Sequence, residues 1–377
     1  MKYINFLLIP FLVFTSGYAQ EITVSEQFDL PNTVLETSGL LYFNNRLITH
    51  NDSGTAAELY EIDETNGSIV RTVTVTNATN VDWEDIAQDD TYIYVGDIGN
   101  NGGDRTNLRI YRILKTDYES STSVTADIID YSYADQTDFT TNVNNNDWDA
   151  EGFVIYGTHI LIFSKNWVNN EVDVYAMPKT TGTHSAAKVS SYNVQGLVTG
   201  ADNAGSDKIY LSGYSESNVT PFVLMIYDII ISPPSNLDLF ASSSVFKFDS
   251  ILLLGNQTEG ICYVETNGLN DTLYLSNEEL TVSMFTFPSK LRELTVDNTT
   301  LSVGVDEAIT VDVFPIPFND CIKINTIADK VTLYDALGKE VIESYNTDTI
   351  DTHKLPNGFY HISIRIDGII INKKIVK

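Results

Sequence analysis

The chain has 377 residues, a length suited to two compact units, and carries 22 Lys and Arg against 51 Asp and Glu, for a net charge of −29. That acidity excludes a protein that tracks nucleic-acid phosphates and disfavours docking on anionic lipid; cations are the partners it favours. Hydrophobic residues at 43%, with 21 Tyr and 17 Phe, suffice for a packed core, and two cysteines cannot build a disulfide framework.

At the N-terminus Lys2 precedes an apolar run from Ile4 to Phe14, followed by Ser16-Gly17-Tyr18-Ala19. A positive start, a short apolar stretch and small residues before the cut predict a secretory signal peptide over residues 1–19. The run is too short to cross roughly 30 Å of hydrocarbon, and no later stretch reaches the length of a membrane span, so the mature protein is expected to have no transmembrane segment. No Cys follows the run to carry a lipid anchor.

The next segment, Ile22 to Phe28, alternates as a strand. Beyond it, Gly- and Asn-marked turns separate short runs rich in Val, Ile and Tyr, with no 3.6-residue stripe. A five-residue motif recurs: Glu36-Thr37-Ser38-Gly39-Leu40, Asp82-Trp83-Glu84-Asp85-Ile86, Asp149-Ala150-Glu151-Gly152-Phe153, Leu197-Val198-Thr199-Gly200-Ala201 and Gln257-Thr258-Glu259-Gly260-Ile261. Its fourth positions stand 46, 67, 48 and 60 residues apart, which fits one four-stranded unit per repeat with loops of unequal length. Second runs follow at Arg46–Thr49, Tyr92–Val95, Ile160–Phe163, Ile209–Leu211 and Leu273–Leu275. Third runs are Leu59–Ile62, Leu108–Tyr111, Val172–Tyr175, Val223–Tyr227 and Met284–Phe287. Outer runs are Ile69–Val75, Thr125–Tyr133, Lys188–Val194 and Ser244–Phe248. The fifth repeat has none, and Ile22–Phe28 can supply it, joining the two ends of a ring and covering a sheet edge. The expected fold is therefore all-β: a five-bladed β-propeller over residues 20–290, with six blades as the alternative because the second repeat is long. Residues 291–311 read as a polar linker, and residues 312–377 as a small antiparallel β-sandwich with alternating Ile322/Ile324, Val331/Leu333 and Tyr360/Ile362/Ile364.

In a propeller, the start of each inner strand and the loop after each second strand meet on one face of the ring. Glu36, Asp82, Glu84, Asp85, Asp149, Glu151 and Glu259 are placed there by the motifs. The loops add His50-Asn51-Asp52-Ser53, Gly96–Asn101, Ser164-Lys165-Asn166-Trp167, Tyr214-Ser215-Glu216 and Ser276-Asn277-Glu278-Glu279. Crowded carboxylates need solvent, protons or a cation, and oxygen ligands without Cys suit a hard cation, Ca²⁺ before Mg²⁺. Glu36, Asp82, Glu84, Asp149, Glu151 and Glu259 are the candidate metal ligands, and His50 and Asp97 the candidate acid/base groups if the mouth is catalytic. A competing reading gives these acids scaffold work, accepting hydrogen bonds from backbone N–H groups of the neighbouring repeat. Trp83 and Trp148 read either as packing between repeats or as stacking faces for a sugar or aromatic ligand. The Asp97–Asp104 stretch places Asp97, Asn101 and Gly102 as a calcium loop does, but Leu108 stands where its terminal Glu belongs. No nucleophile elbow, zinc-protease helix, phosphate loop or dinucleotide fingerprint is present. Cys262, on an inner strand, reads as a small core residue that does not pair with Cys321.

The C-terminal segment reads Val313-Phe314-Pro315-Ile316-Pro317-Phe318-Asn319-Asp320, Val331–Lys339, Leu355-Pro356-Asn357-Gly358-Phe359-Tyr360 and Lys373–Lys377. It resembles the type A C-terminal sorting domain of the type IX secretion system, departing at Ile316, where the family usually has Asn. The resemblance implies export through the periplasm, recognition by the type IX translocon, and release or attachment at the outer cell surface. The motifs of the repeats are similar to uncharacterised secreted bacterial propellers, and more loosely to the calcium-dependent lactonase, strictosidine-synthase-like and phytase-like propellers. Two functions are thereby expected: a binder of a glycan, small molecule or protein at a Ca²⁺-holding mouth, or a Ca²⁺-dependent hydrolase of lactones or phosphoesters.

Overall fold

The computed structural model of the chain describes residues 21–231, 233, 236–252, 255–282, 285–298, 313–335, 339–366 and 369–377. The expected signal peptide, residues 299–311 of the expected linker, and the turn at Leu337-Gly338 lie outside them. The chain divides into two compact units, Met1–Ser302 and Val303–Lys377.

The regular structure of the first unit is almost all strand, with one α-helix among the described residues. Four successive sheets each run outward from an inner strand: Thr37–Phe43, Trp83–Gln88, Ala150–Tyr156 and Leu197–Asn203 are each followed by three antiparallel neighbours in chain order. The fifth sheet runs Thr258–Asn267, Asn270–Asn277, Lys290–Asp297, and then Glu21–Asp29 from the other end of the unit. That last pairing, Glu21 opposite Asp297 through Asp29 opposite Lys290, covers the outer edge of the sheet. The third strand of this sheet is Lys290–Asp297, not the expected Met284–Phe287. Phe285–Phe287 instead pairs with Leu280–Val282 as a small hairpin, so strand extends into the expected linker. The outer strands Asp127–Tyr133 and Gly182–Tyr192 pair in parallel, which merges the second and third sheets into one of eight strands. The length of the second repeat goes into a short helix, Lys115–Ser120, and into the loop before Ala150.

Both faces of every sheet are apolar, because successive residues of an inner strand go to opposite neighbours. Leu41 and Ile86 share a core between the first and second sheets; Ala87 and Phe153 between the second and third; Val154 and Ala201 between the third and fourth. Ile261 and Tyr210 lie between the fourth and fifth, and Cys262 and Leu40 between the fifth and the first. Each inner strand thus lies against the next, and the fifth against the first.

The repeated motif is where those strands touch. In all five inner strands the register slips at it: between Thr37 and Leu40, Trp83 and Asp85, Ala150 and Gly152, Val198 and Gly200, and Thr258 and Ile261. Such bulges re-aim a side chain and bend the strand. The motif glycines exist for close approach. A Cβ on Gly39 would lie 2.6 Å from the Ile86 nitrogen, one on Gly200 2.5 Å from the Glu259 carbonyl oxygen, and one on Gly260 would collide with the Ser38 carbonyl. The second repeat has Asp85 instead. Its Oδ1 accepts the Ile86 N–H at 2.9 Å, and its Oδ2 accepts those of Phe153 at 3.0 Å and Ala201 at 3.1 Å, in the third and fourth sheets. The Ser38 and Thr199 hydroxyls donate to the Glu84 and Thr258 carbonyls at 2.5 and 2.7 Å, linking further pairs.

Among the described residues the second unit holds five strands, Val313–Phe314, Cys321–Asp335, Glu340–Asp351, Phe359–Ile366 and Ile369–Val376. They pair as one antiparallel sheet rather than the expected two-sheet sandwich, because the 15-residue strand Cys321–Asp335 is paired along both edges. Phe318, Ile322, Leu333, Ile362 and Ile364 are in its core. Cys262 and Cys321 are both free.

Asp85→Ala leaves the Phe153 and Ala201 N–H groups buried without an acceptor, and each such orphan costs about 1–3 kcal/mol. All three tryptophans, Trp83, Trp148 and Trp167, belong to the first unit, so their fluorescence in urea reads that unit. The variant is expected to lose about 3 kcal/mol or more; an unchanged midpoint refutes the bridging role.

Candidate functional site

A cavity of about 280 Å³ opens beside the motifs. Ser38, Glu84, Glu151 and Glu259 reach it from the motifs, Tyr214 from the end of a second strand, and Asp52, Asn101, Lys165, Trp167 and Glu278 from the loops after the second strands. Asn144 and Gln257 complete the lining. The third motif position, where each bulge acts, carries Ser38, Glu84, Glu151, Thr199 and Glu259 in turn. Where it is Ser or Thr the hydroxyl satisfies a neighbouring carbonyl; where it is Glu the longer side chain reaches the cavity.

Of the expected metal ligands, Asp82 and Glu84 come together, and the loop residue Asp52 joins them. One carboxylate oxygen from each lies within 4.8 Å of the other two. Gly99 sits against this cluster, since a Cβ there would collide with Glu84 Oε1 and Asp82 Oδ2. The Glu84 side chain is buried and its carboxylate accepts no hydrogen bond among the described residues. Glu151 and Glu259 line the same cavity nearer Lys165. Asp149 has other work: its Oδ1 accepts the Asn100 N–H and its Oδ2 the Trp167 Nε1–H, both at 2.7 Å. Glu36 is exposed and outside the lining. Asp85, grouped with the rim acids in the sequence, is turned into the strand contacts.

The two candidate acid/base groups do not face the cavity as free groups. His50 is fully buried with its ring edge-on to Trp83 at 5.7 Å, its Nδ1 3.1 Å from the Asn51 carbonyl, and burial pushes it down to about 4. Asp97 accepts Arg105 Nη2–H at 2.7 Å and the Asp82 N–H at 3.2 Å. Trp83 is fully buried between the first and second sheets, which assigns it to packing; Trp148 is half-buried. In the Asp97–Asp104 stretch, Asn100 Oδ1 accepts the Arg105 N–H and Arg105 Nη1 donates to the Gly99 carbonyl, so its polar groups close the loop on itself.

Among the described residues, Lys165 is the only cation lining the cavity. It is buried, its Nζ donates to Glu151 Oε1 at 2.5 Å, and it lies 5.1 Å from the Trp167 ring centroid and 5.4 Å from that of Tyr214. Glu151, Glu259 and Asp149 hold it protonated, against the cost of burial. The acids feel the opposite balance. Burial first, and Asp52 next, push Asp82 up to about 7 and Glu278 to about 7. Glu151 rises to about 8 because burial and the neighbouring acids outweigh one lysine. Glu84 and Glu259 are raised too, by burial and then by Asp52 and Glu151 respectively. Asp52 and Glu278 were absent from the expected ligand set, although their place after a second strand, on the same rim as the motifs, marks them.

Residues 312–377 match the family described as a secretion system C-terminal sorting domain. The chain is therefore exported, to a secreted or cell-surface location. No described helix is long and apolar enough to cross a membrane. No curated protein matches the sequence. Among solved structures, the extracellular domain of a hybrid two component system from B. thetaiotaomicron is 10% identical, with TM-score 0.28, covering 90% of this chain and 49% of that one. The chain spans about half the length of that structure. A subtype N10 neuraminidase-like protein of a little yellow-shouldered bat isolate from Guatemala is 11% identical, with TM-score 0.31, covering 70% of this chain and 80% of that one.

Raised carboxyls make the folded state bind protons that the unfolded state releases, so stability falls as pH rises through their folded values. His50, held neutral by burial, opposes this only below its ordinary value of 6.5. Between pH 6.5 and 8, with chelator present, the urea midpoint is therefore expected to fall as Asp82, Glu278 and Glu151 ionise. Glu84→Gln removes a carboxyl that burial and then Asp52 keep from ionising easily, so it is expected to raise the stability at pH 8, by on the order of 1 kcal/mol. A flat pH profile together with a destabilised variant contradicts the crowding.

Proposed function

We propose that the first unit is a five-bladed β-propeller, exported as type IX cargo, that holds a hard divalent cation at its acidic cavity and binds a ligand there. The five inner strands, each against the next, and the closing strand Glu21–Asp29 support the blade count. The observation that carries the cation is the Asp52, Asp82 and Glu84 cluster, with the buried Glu84 carboxylate lacking any hydrogen-bond donor among the described residues. A dehydrated carboxylate without a donor is costly, and a divalent ion offsets that cost. The all-oxygen set, with half-buried Asp52 and Asp82 open to water, suits Ca²⁺ before Mg²⁺. The type A subdivision, handling by the translocon and the loose likeness to lactonase, strictosidine-synthase-like and phytase-like propellers rest on the motifs.

Extracellular Ca²⁺ modules bind at roughly 10⁻⁴–10⁻³ M, so about 10 mM Ca²⁺ adds roughly 1.4–2.7 kcal/mol to the folded state. Calorimetry of the mature chain is expected to show a higher melting temperature with Ca²⁺ than with chelator. Glu84→Gln and Asp82→Asn should each remove the difference. A melting temperature indifferent to both Ca²⁺ and Mg²⁺ ends the cation reading.

A Ca²⁺-dependent hydrolase is the second reading. Glu278 favours it: a cavity carboxyl brought to about 7 is suited to move a proton near neutral pH. The burial of His50 and the pairing of Asp97 with Arg105 weigh against it. Panels of lactones and phosphoesters, with and without chelator, separate the two. Absence of turnover with the Ca²⁺-dependent melting intact supports the binder; chelator-sensitive turnover lost in Glu278→Gln supports the hydrolase.

A further inference from the structure

A second concavity, a groove of about 430 Å³, lies beside the loop that joins Tyr133 to Ala150. This loop is a long stretch without strand or helix, and it is pinned. Gln136 Nε2 donates to the Gly103 carbonyl at 2.7 Å, the Asn142 N–H to the Gly102 carbonyl at 2.8 Å, and the Asn144 N–H to the Asn101 carbonyl at 3.0 Å. Asn146, buried, donates to the Asn101 carbonyl at 3.0 Å and accepts the Trp148 N–H at 2.9 Å. A long loop held in this way supports a preformed surface rather than a connection.

What it presents is mixed in a particular manner. Trp148 lines the groove, its orientation fixed by an Nε1–H donated to Asp135 at 3.3 Å and by partial packing on the core between the second and third sheets. Val168, in the same lining, is exposed by 55%. The remaining lining is amide, hydroxyl and carboxylate: Thr140, Asn142, Asn145 and Asp147 among them. The Asn145 and Asp147 side chains make no hydrogen bond among the described residues. No Lys or Arg lines the groove among the described residues. A fixed indole with one apolar neighbour, Val168, offers a face to the C–H side of a sugar ring, and free amide and carboxylate groups offer acceptors and donors to its hydroxyls. Two aspartates without a cation repel uronate and sialate groups. The groove also neighbours the cavity: Asn144 and Trp167 line the cavity, while Asn145 and Val168 line the groove.

We propose that this groove is a binding site for a neutral oligosaccharide, stacking a sugar ring on Trp148 and hydrogen-bonding it through Asn145 and Asp147. It is independent of the cation cluster. The test is affinity electrophoresis of the mature chain through starch, mixed-linkage β-glucan, xylan and mannan, with polygalacturonate as the charged comparison, followed by calorimetry with the matching hexasaccharide. Retardation by at least one neutral polymer, unchanged by chelator and weakened at least tenfold in Trp148→Ala, is expected. Because Trp148 also packs on the core, the double variant Asn145→Ala/Asp147→Ala is run alongside, with its melting temperature checked; it too should lose binding. No retardation by any neutral polymer overturns the proposal. So does binding that survives in the double variant, binding abolished by chelator in the unaltered chain, or preference for polygalacturonate.

Discussion

The inner strands of the first unit approach one another backbone to backbone, and the cavity is a consequence of that approach. Flat strands with side chains at every position could not come so close. The motif solves this with a bulge and a glycine at the same place in most repeats, so that a carbonyl or N–H of one strand sits where a Cβ would stand on the next. The bulge has a second effect, since the residue before the glycine is turned out of the ordinary alternation. When that residue is Ser or Thr it completes the contact; when it is Glu it enters the cavity. Packing and acidity are thus two results of one distortion.

The balance of charge follows. Among the described residues, five carboxylates line the cavity and only Lys165 answers them. A lone ammonium held by Glu151 and flanked by two aromatic rings stays charged, while the acids around it are driven toward their protonated forms. Other rim acids are pushed up by burial as well, but N–H or guanidinium donors offset part of the push, for Asp149 from Asn100 and Trp167, and for Asp97 from Arg105. The scaffold reading of these acids therefore holds for Asp85, Asp97 and Asp149, while the proposed ligand role falls to other residues. The distinction is hydrogen-bond supply: Asp85, Asp97 and Asp149 have it, and Glu84 does not.

Much of this was legible in the sequence because the repeat signals packing and loops at once. The motif glycines, the runs after them and the loose N-terminal strand led to the strand order of the first four sheets and to the closing strand of the fifth. The error in the fifth sheet has a local cause. Phe285–Phe287 alternates as well as Lys290–Asp297 does, and only the partner strand decides which one joins Asn270–Asn277. His50 misled because a histidine near Asp52 and Ser53 looks polar in one dimension, whereas its strand ends inward on Trp83. Asp85 misled because it occupies the glycine position of its motif, and a carboxylate there can only be satisfied by backbone from two other sheets.

The extra length of the second repeat is the remaining clue, and it concerns surface rather than scaffold. It adds no four-stranded sheet; it builds a helix and a loop whose buried amides are spent on holding the loop against Asn100–Gly103. Fixing a residue's backbone costs about 1–2 kcal/mol, which a solvent-exposed stretch recovers only through such bonds. A chain that needed merely to connect two strands would be shorter and freer. That this one carries Asn144 into the acidic cavity and its neighbours into the Trp148 groove ties this pinned loop to both concavities.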